Sequence, residues 1–286
     1  MEVLKEIWLP ALQGSLMLLV LAVGLDATMR EAAFVLRQAR LLARSLLAFA
    51  VAVPAFAALV VAAMPLERPV KIAILLMAVS PLPPLMPGKE VKSGGRRRYV
   101  YGLLVAVSLL AVALVPITVA ILARVFGEEV SISPWQVLRV ILASVIAPLA
   151  LGMVIRHFVP DGARRAAPFV TRLANVMLVV TLLPLLFRVL PTMWQLVGNG
   201  TLVAMIVVLI GALLAGHVIG RRSEPHDQQA LAVACTMRHP GMALVIAHAN
   251  FTEPEISAAI LMFLIVGMLV GLPYQGWYKR HRLAPQ

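Results

Sequence analysis

Apolar residues gather along this chain into long runs, and polar residues fall in the short gaps between them. A helix needs about 20 mostly apolar residues to cross a bilayer core of roughly 30 Å. Nine runs approach that length: Leu9–Leu25, Leu41–Met64, Pro69–Met86, Tyr99–Ala123, Pro134–Ile155, Ala167–Leu190, Thr201–Ile219, Asp227–Asn250 and Pro254–Trp277. Lipid offers no partner to a bare backbone group, so each run is expected to be a helix. The chain then reads as an all-α polytopic membrane protein, one transmembrane domain over residues 1–286.

Two of the nine runs contain their own interruption. The third holds Ser80-Pro81-Leu82-Pro83-Pro84-Leu85-Met86-Pro87-Gly88, and the eighth holds Thr236-Met237-Arg238-His239-Pro240-Gly241. Proline removes a backbone donor and glycine loosens the next turn, so both helices should open inside the membrane. In the eighth, the break coincides with a cation whose burial at mid-bilayer costs on the order of 2.5–3.5 kcal/mol. An arginine there has a partner or a task.

Charge in the gaps alternates along the chain. Arg30, Arg37 and Arg40 follow the first run; Lys89, Lys92, Arg96, Arg97 and Arg98 surround the end of the third; Arg156, Arg164, Arg165 and Arg172 follow the fifth; Arg221 and Arg222 follow the seventh; Lys279, Arg280 and Arg282 follow the ninth. The gaps between these carry Glu67 with Arg68, Glu128 with Glu129, a neutral Gly198-Asn199-Gly200, and Glu253 with Glu255. By the positive-inside rule the N-terminus lies outside and the C-terminus in the cytosol, with the protein in the cell (inner) membrane. The two interrupted helices then run in opposite directions. The first four helices match the last four as an inverted repeat, over about 9–124 and about 134–277, and the fifth lacks a counterpart. Paired broken helices in such repeats place a binding site near the midplane, where the breaks cross.

Composition removes other classes of function. Hydrophobic residues make up 61% of the chain and charged ones 13%, with mean hydropathy +0.94, more apolar surface than a soluble fold of this size buries. A net charge of +12 would suggest nucleic acid in a soluble protein, but here the basic residues sit in connectors and report topology. The single Cys235 leaves no intrachain disulfide and no cysteine metal cluster. Met1–Pro10, with Glu2, Lys5 and Glu6, does not read as a cleavable signal peptide. There is no His-x-x-x-His pair, no paired aspartates and no Gly-x-Ser-x-Gly elbow, so neither enzyme, cofactor nor metal centre is expected.

The run Ala230-Leu231-Ala232-Val233-Ala234-Cys235-Thr236-Met237-Arg238-His239-Pro240-Gly241-Met242-Ala243, continuing through Ala247-His248-Ala249-Asn250-Phe251, resembles the second crossing helix of the bile acid:sodium symporter family. Val23-Gly24-Leu25, Pro54, the proline break with Gly88, and Pro148-Leu149-Ala150-Leu151-Gly152 match in order along the chain. The resemblance implies a panel domain and a core domain, two crossed broken helices in the core, and transport of organic anions by alternating access. It includes a nine-helix form that lacks the first helix.

Departures from the family pattern concern its sodium sites. The resemblance implies a glutamate followed four and five residues later by glutamine and asparagine, where this chain has Ala234, Arg238 and His239. A glutamine on the second helix is replaced by Phe49, and a serine and asparagine past the first break by Gly88 and Lys89. Sodium needs oxygen ligands, which alanine, phenylalanine and glycine side chains do not supply. The expected site is therefore Lys89, Arg238, His239, Glu90, Ser80, Thr236, Gly88 and Pro240, with Lys89 and Arg238 as tethered cations in place of the ion. The expected partners are a small organic anion, the lipid bilayer and, for coupling, a proton through His239 in preference to sodium. Alternatives stay open: an ion pair of Arg238 with Glu90, Lys89 as a cytosolic anchor, and His239 as a cap on the first half-helix. A sodium-coupled symporter with other oxygen ligands, an arsenite carrier, and a channel or non-transporting scaffold are the competing functions.

Overall fold

A computed structural model describes residues 2–83, 95–128, 130 and 133–282. Among these residues every regular element is helical. The first run lies in α1 (Glu2–Asp26), followed by a one-turn α2 (Met29–Ala32). Thr28 starts that turn through a capping box, receiving the Glu31 N–H at 3.2 Å and donating its own N–H to Glu31 at 2.8 Å. The second run is α3 (Ala39–Leu46), a π-helical turn (Leu47–Ala52) and α4 (Val53–Ala63) in one rod. The third is α5 (Arg68–Val79) and the fourth α6 (Arg97–Phe126). The fifth is α7 (Pro134–Ile141), a second π turn (Leu142–Ile146) and α8 (Ala147–Phe158). The remaining runs are α9 (Pro160–Leu196), α10 (Thr201–Ile219), α11 (Pro225–Thr236) with α12 (Pro240–Asn250), and α13 (Pro254–Arg282).

Seven helices among the described residues are long and apolar enough to cross a membrane, where the sequence suggested nine. Among the described residues of the first run, Gln13–Asp26 forms a shorter apolar helix. The third is represented by the twelve residues of α5, which stop at Ser80 because Pro81 cannot extend the ladder. Residues 84–94, with Gly88, Lys89 and Glu90, lie outside the described residues.

The connector expected after the fifth helix is almost absent. Only Val159 separates α8 from α9, and Arg164, Arg165 and Arg172 are helical residues of a 37-residue rod. Pro160 occupies the first helical turn, where its missing N–H costs nothing, and the alanines and arginines behind it favour helix.

Two other prolines are absorbed by widening the helix, whereas Pro116 in α6, Pro168, Pro184 and Pro191 in α9 and Pro273 in α13 lie inside regular α-helix. Each π turn sits just ahead of a proline, Pro54 or Pro148. The Val53 N–H reaches back five residues to Ala48, and the Ala147 N–H reaches back five to Leu142. The wider turn relieves the clash of the proline ring with the preceding carbonyl.

Packing divides along glycines. α1 lies along α8 and α9, and at its crossing with α8 the backbones touch: a Cβ on Gly24 would stand 2.4 Å from the Leu149 carbonyl oxygen, and one on Gly152 2.5 Å from that of Leu21. α2 meets α6 in the same way, since a Cβ on Gly102 would stand 2.9 Å from the Val35 nitrogen. Gly216 admits α11 against α10, its Cβ position lying 2.6 Å from Ala232 Cα. Small residues permit this approach where apolar burial gives helices in lipid little incentive to associate.

Alternate connectors meet at opposite ends of the bundle. At one end Arg97 pairs with Asp26 at 2.8 Å, Arg96 with Asp227 at 2.5 Å, and Arg44 donates to the Arg222 carbonyl at 3.1 Å. At the other, Arg68 bridges Glu128, at 2.8 Å, and Glu253, while Asn199 donates to Glu67 at 3.0 Å. The hydrogen bonds it donates to the Glu128 carboxylate hold the Arg68 guanidinium above its ordinary pKa.

Candidate functional site

The two interrupted helices touch at their breaks. α5 ends at Ser80 and α11 at Thr236, each followed by extended backbone. The His239 N–H donates to the Pro81 carbonyl at 2.8 Å, so one break supplies the donor and the other the acceptor. In an unbroken helix that N–H would go to Cys235; its departure leaves the Cys235 carbonyl free.

Arg238 collects what the breaks release. Its Nε donates to the Cys235 carbonyl at 3.3 Å, Nη1 to Ser80 at 3.2 Å and Nη2 to Phe49 at 2.9 Å. Each acceptor has lost its usual helical donor. Ser80 ends α5. Phe49 lies in the first π turn, where the Val53 N–H is taken by Ala48 and Pro54, next in line, has none. The guanidinium also stacks on the Phe49 ring, 3.7 Å from its centroid, and is only 1% exposed. Hydrogen bonds from a charged donor contribute about 1.5–3 kcal/mol each, so three can offset an insertion cost of roughly 3 kcal/mol. No carboxylate among the described residues pairs with it.

The sequence model of the Sodium Bile acid symporter family matches residues 15–194. The chain belongs to that family. A comparison with curated proteins found no match. The matched segment ends within α9, so the second break, Arg238 and His239 lie beyond it. This member of the symporter family is a membrane transporter, and its crossing is where the resemblance placed sodium ligands. Ala234 is fully buried there, and Phe49 contributes a ring and a carbonyl.

The other expected site residues take varied parts. Ser80 Oγ donates back to Leu76 at 2.7 Å and Thr236 Oγ1 to Val233 at 2.8 Å. These hydroxyls are spent within their own helices, and Ser80 serves the site through its carbonyl. His239 does not cap the half-helix before it. It is the N-cap of α12, its Nδ1 accepting the Met242 N–H at 3.3 Å, because the break turns its backbone into the following helix. Nε2 is buried and without a hydrogen-bond partner among the described residues. Pro240 opens α12 at the position where proline is tolerated. Gly241 leaves room for the imidazole, since a Cβ there would stand 2.9 Å from His239 Cε1. Beside Arg238 lies a cavity of about 20 Å³, whose walls include Phe49, Pro54, Pro81, Val107, Ala111 and Thr118. It has room for about one water molecule.

The parts of Phe49, Pro54 and Pro81 were not foreseen as site contributions. A readable signal did exist: Pro54 stands five residues after Phe49, which denies the Phe49 carbonyl a partner once a π turn forms.

Proposed function

We propose that the chain is a secondary transporter of a small organic anion, a carboxylate or sulfonate, working by alternating access and without sodium. The supporting observation is the Arg238 guanidinium seated on three carbonyls, two freed by the helix breaks and one by the π turn ahead of Pro54. Such a cage offers partial negative charge to a cation. A covalently attached cation occupies it here, so a mobile ion is no longer needed to neutralise it. Arg238 has five N–H donors, and three are engaged by these carbonyls. The remainder, with the cavity alongside, supply a positive field for an anion. Lys89 is the second fixed cation of this reading, with Gly88 and Glu90 beside it. His239 is the group available to carry a proton if transport is coupled: with Nδ1 accepting the Met242 N–H the neutral ring holds its hydrogen on Nε2, so a second proton goes to Nδ1 and releases that cap.

The architecture of this proposal is the nine-helix form of the family, an inverted repeat with α1, α7–α8 and α9 as panel and the remaining helices as core. Paired breaks and the gathering of alternate connectors at opposite ends support it. The end bearing Arg96, Arg97, Arg156 and the C-terminal lysine and arginines is the cytosolic one, in the cell membrane, with the N-terminus outside.

The family description favours a second reading, a sodium-coupled symporter whose ion is held by other oxygens. Uptake into proteoliposomes in sodium, potassium and choline salts separates the two. Equal uptake supports the tethered cation, and strict sodium dependence overturns it. A thermal-shift screen of carboxylates and sulfonates in the same salts would narrow the substrate.

A further inference from the structure

We propose that Ala27–Thr28 is a hinge between the two packing groups, and that Arg97 is the latch that holds its angle. This inference rests on the alternating-access reading. The segment lies between two tight backbone contacts. On one side Gly24 locks α1 to α8; on the other, Gly102 of α6 packs against Glu31 and Val35, around α2. Arg156, on α8, reinforces the first contact by donating to the carbonyls of Leu25 and Asp26 at 3.2 and 2.6 Å. Between Asp26 and the Thr28 cap only Ala27 intervenes, so at this one of the three connections between the groups a change of angle falls on these few backbone torsions.

Arg97 grips both sides of that joint. Nη1 pairs with Asp26 Oδ2 at 2.8 Å and Nη2 donates to the Asp26 carbonyl at 2.5 Å, while Nε meets Glu31 Oε1 at 3.3 Å. Tyr101, one turn further along α6, donates to Asp26 Oδ2 at 3.1 Å. The same helix supplies Val107, Ala111, Leu114, Val115 and Thr118 to the cavity beside Arg238. Parting Arg97 from Asp26 would let that wall swing from α1 and open the crossing toward the basic end. The Arg97 and Asp26 side chains are 39% and 40% exposed, and pairs of that exposure are weak enough to break on each cycle. The arrangement suits a catch better than a permanent weld.

The chain carries its own reporter, because Cys235 is 1% exposed and its carbonyl binds Arg238. The test is the rate at which sulfonatoethyl methanethiosulfonate, which does not cross membranes, modifies Cys235 in oriented vesicles. Arg97→Ala should raise that rate from the basic end by roughly threefold to tenfold and lower it from the opposite end, as a shift between two states requires. Asp26→Asn should act in the same direction, and Arg97→Lys, which keeps the charge, should fall nearer the wild type. A rise from both ends would mean general loosening and overturn the latch, as would unchanged rates in both neutral variants. Taurocholate uptake by the same vesicles judges the transport reading separately. A labelling shift without taurocholate uptake by the wild type keeps the two-state latch and counts against taurocholate as the cargo, and uptake without a labelling shift overturns the latch and leaves the transport reading standing.

Discussion

The His239 N–H and the Pro81 carbonyl meet at 2.8 Å, joining two helices, far apart in sequence, at the point where each loses its own ladder. A buried, unpaired backbone group costs about 1–3 kcal/mol, so each break is affordable only while the other is present. Arg238 extends the same logic to three more carbonyls.

Removing the guanidinium should therefore damage stability as well as transport. Arg238→Met leaves the carbonyls of Phe49, Ser80 and Cys235 without their donor, at an expected loss of about 3 kcal/mol or more. Arg238→Lys keeps the charge and loses the planar fork and the stacking on Phe49, so its unfolding temperature should lie between the two. Thermal unfolding in detergent checks the order, and an Arg238→Met protein as stable as the wild type would contradict the cage.

Coupling should respond to a rebuilt cation site. Arg238→Gln alone is expected to lose uptake, since it removes the fixed charge without supplying a carboxylate. Ala234→Glu together with Arg238→Gln restores the acidic and amide side chains that the family resemblance implies at those positions. Any uptake this double variant recovers should depend on sodium, and equal recovery in choline would count against the substitution of arginine for ion.

Pro54 should matter through Arg238. Pro54→Ala returns an N–H to the turn that releases the Phe49 carbonyl, so that oxygen can be reclaimed by its own helix. Uptake is expected to fall by roughly threefold to tenfold, the scale of one weakened charged hydrogen bond. In an Arg238→Met background the same change should raise the unfolding temperature, because it returns a donor to the orphaned Phe49 carbonyl. A fall in that background as well would show that Pro54 acts on the α3–α4 rod alone.

At the α1–α8 crossing, Gly24→Ala should destabilise by about 1–3 kcal/mol, because its methyl has only backbone to displace. Gly152→Ala forces the same helices apart. The double variant should therefore cost less than the two losses combined, and strict additivity of their unfolding free energies would deny the shared contact.

Much of this arrangement was legible in the residues. The Arg238-His239-Pro240-Gly241 break was readable because proline and a cation stand out in an apolar run, and alternating charge in the gaps foretold which connectors meet. The partners of Arg238 were less accessible. A sequence reader looks for a carboxylate such as Glu90, whereas the described acceptors are backbone carbonyls, which every residue possesses and only geometry releases. The role of His239 was displaced by one element for a related reason: a break of three residues does not announce which half-helix its last residue will cap. The length of α9 escaped because arginines mark a gap on a hydropathy reading, yet they favour helix.

That length has a consequence for how the protein sits in its bilayer. Thirty-seven residues at 1.5 Å each give a rod of about 55 Å, against a hydrocarbon layer of roughly 30 Å. Arg172 and Arg188 lie sixteen residues apart along it, a rise of about 24 Å, shorter than the layer itself. Both guanidinium groups must stretch toward opposite headgroup zones or draw the lipid surface inward. The spacing of these two charges thus limits how thick a lipid layer the rod can meet without strain, and the surplus turns at its Pro160 end, bearing Arg164 and Arg165, are long enough to reach the headgroups like a mooring post.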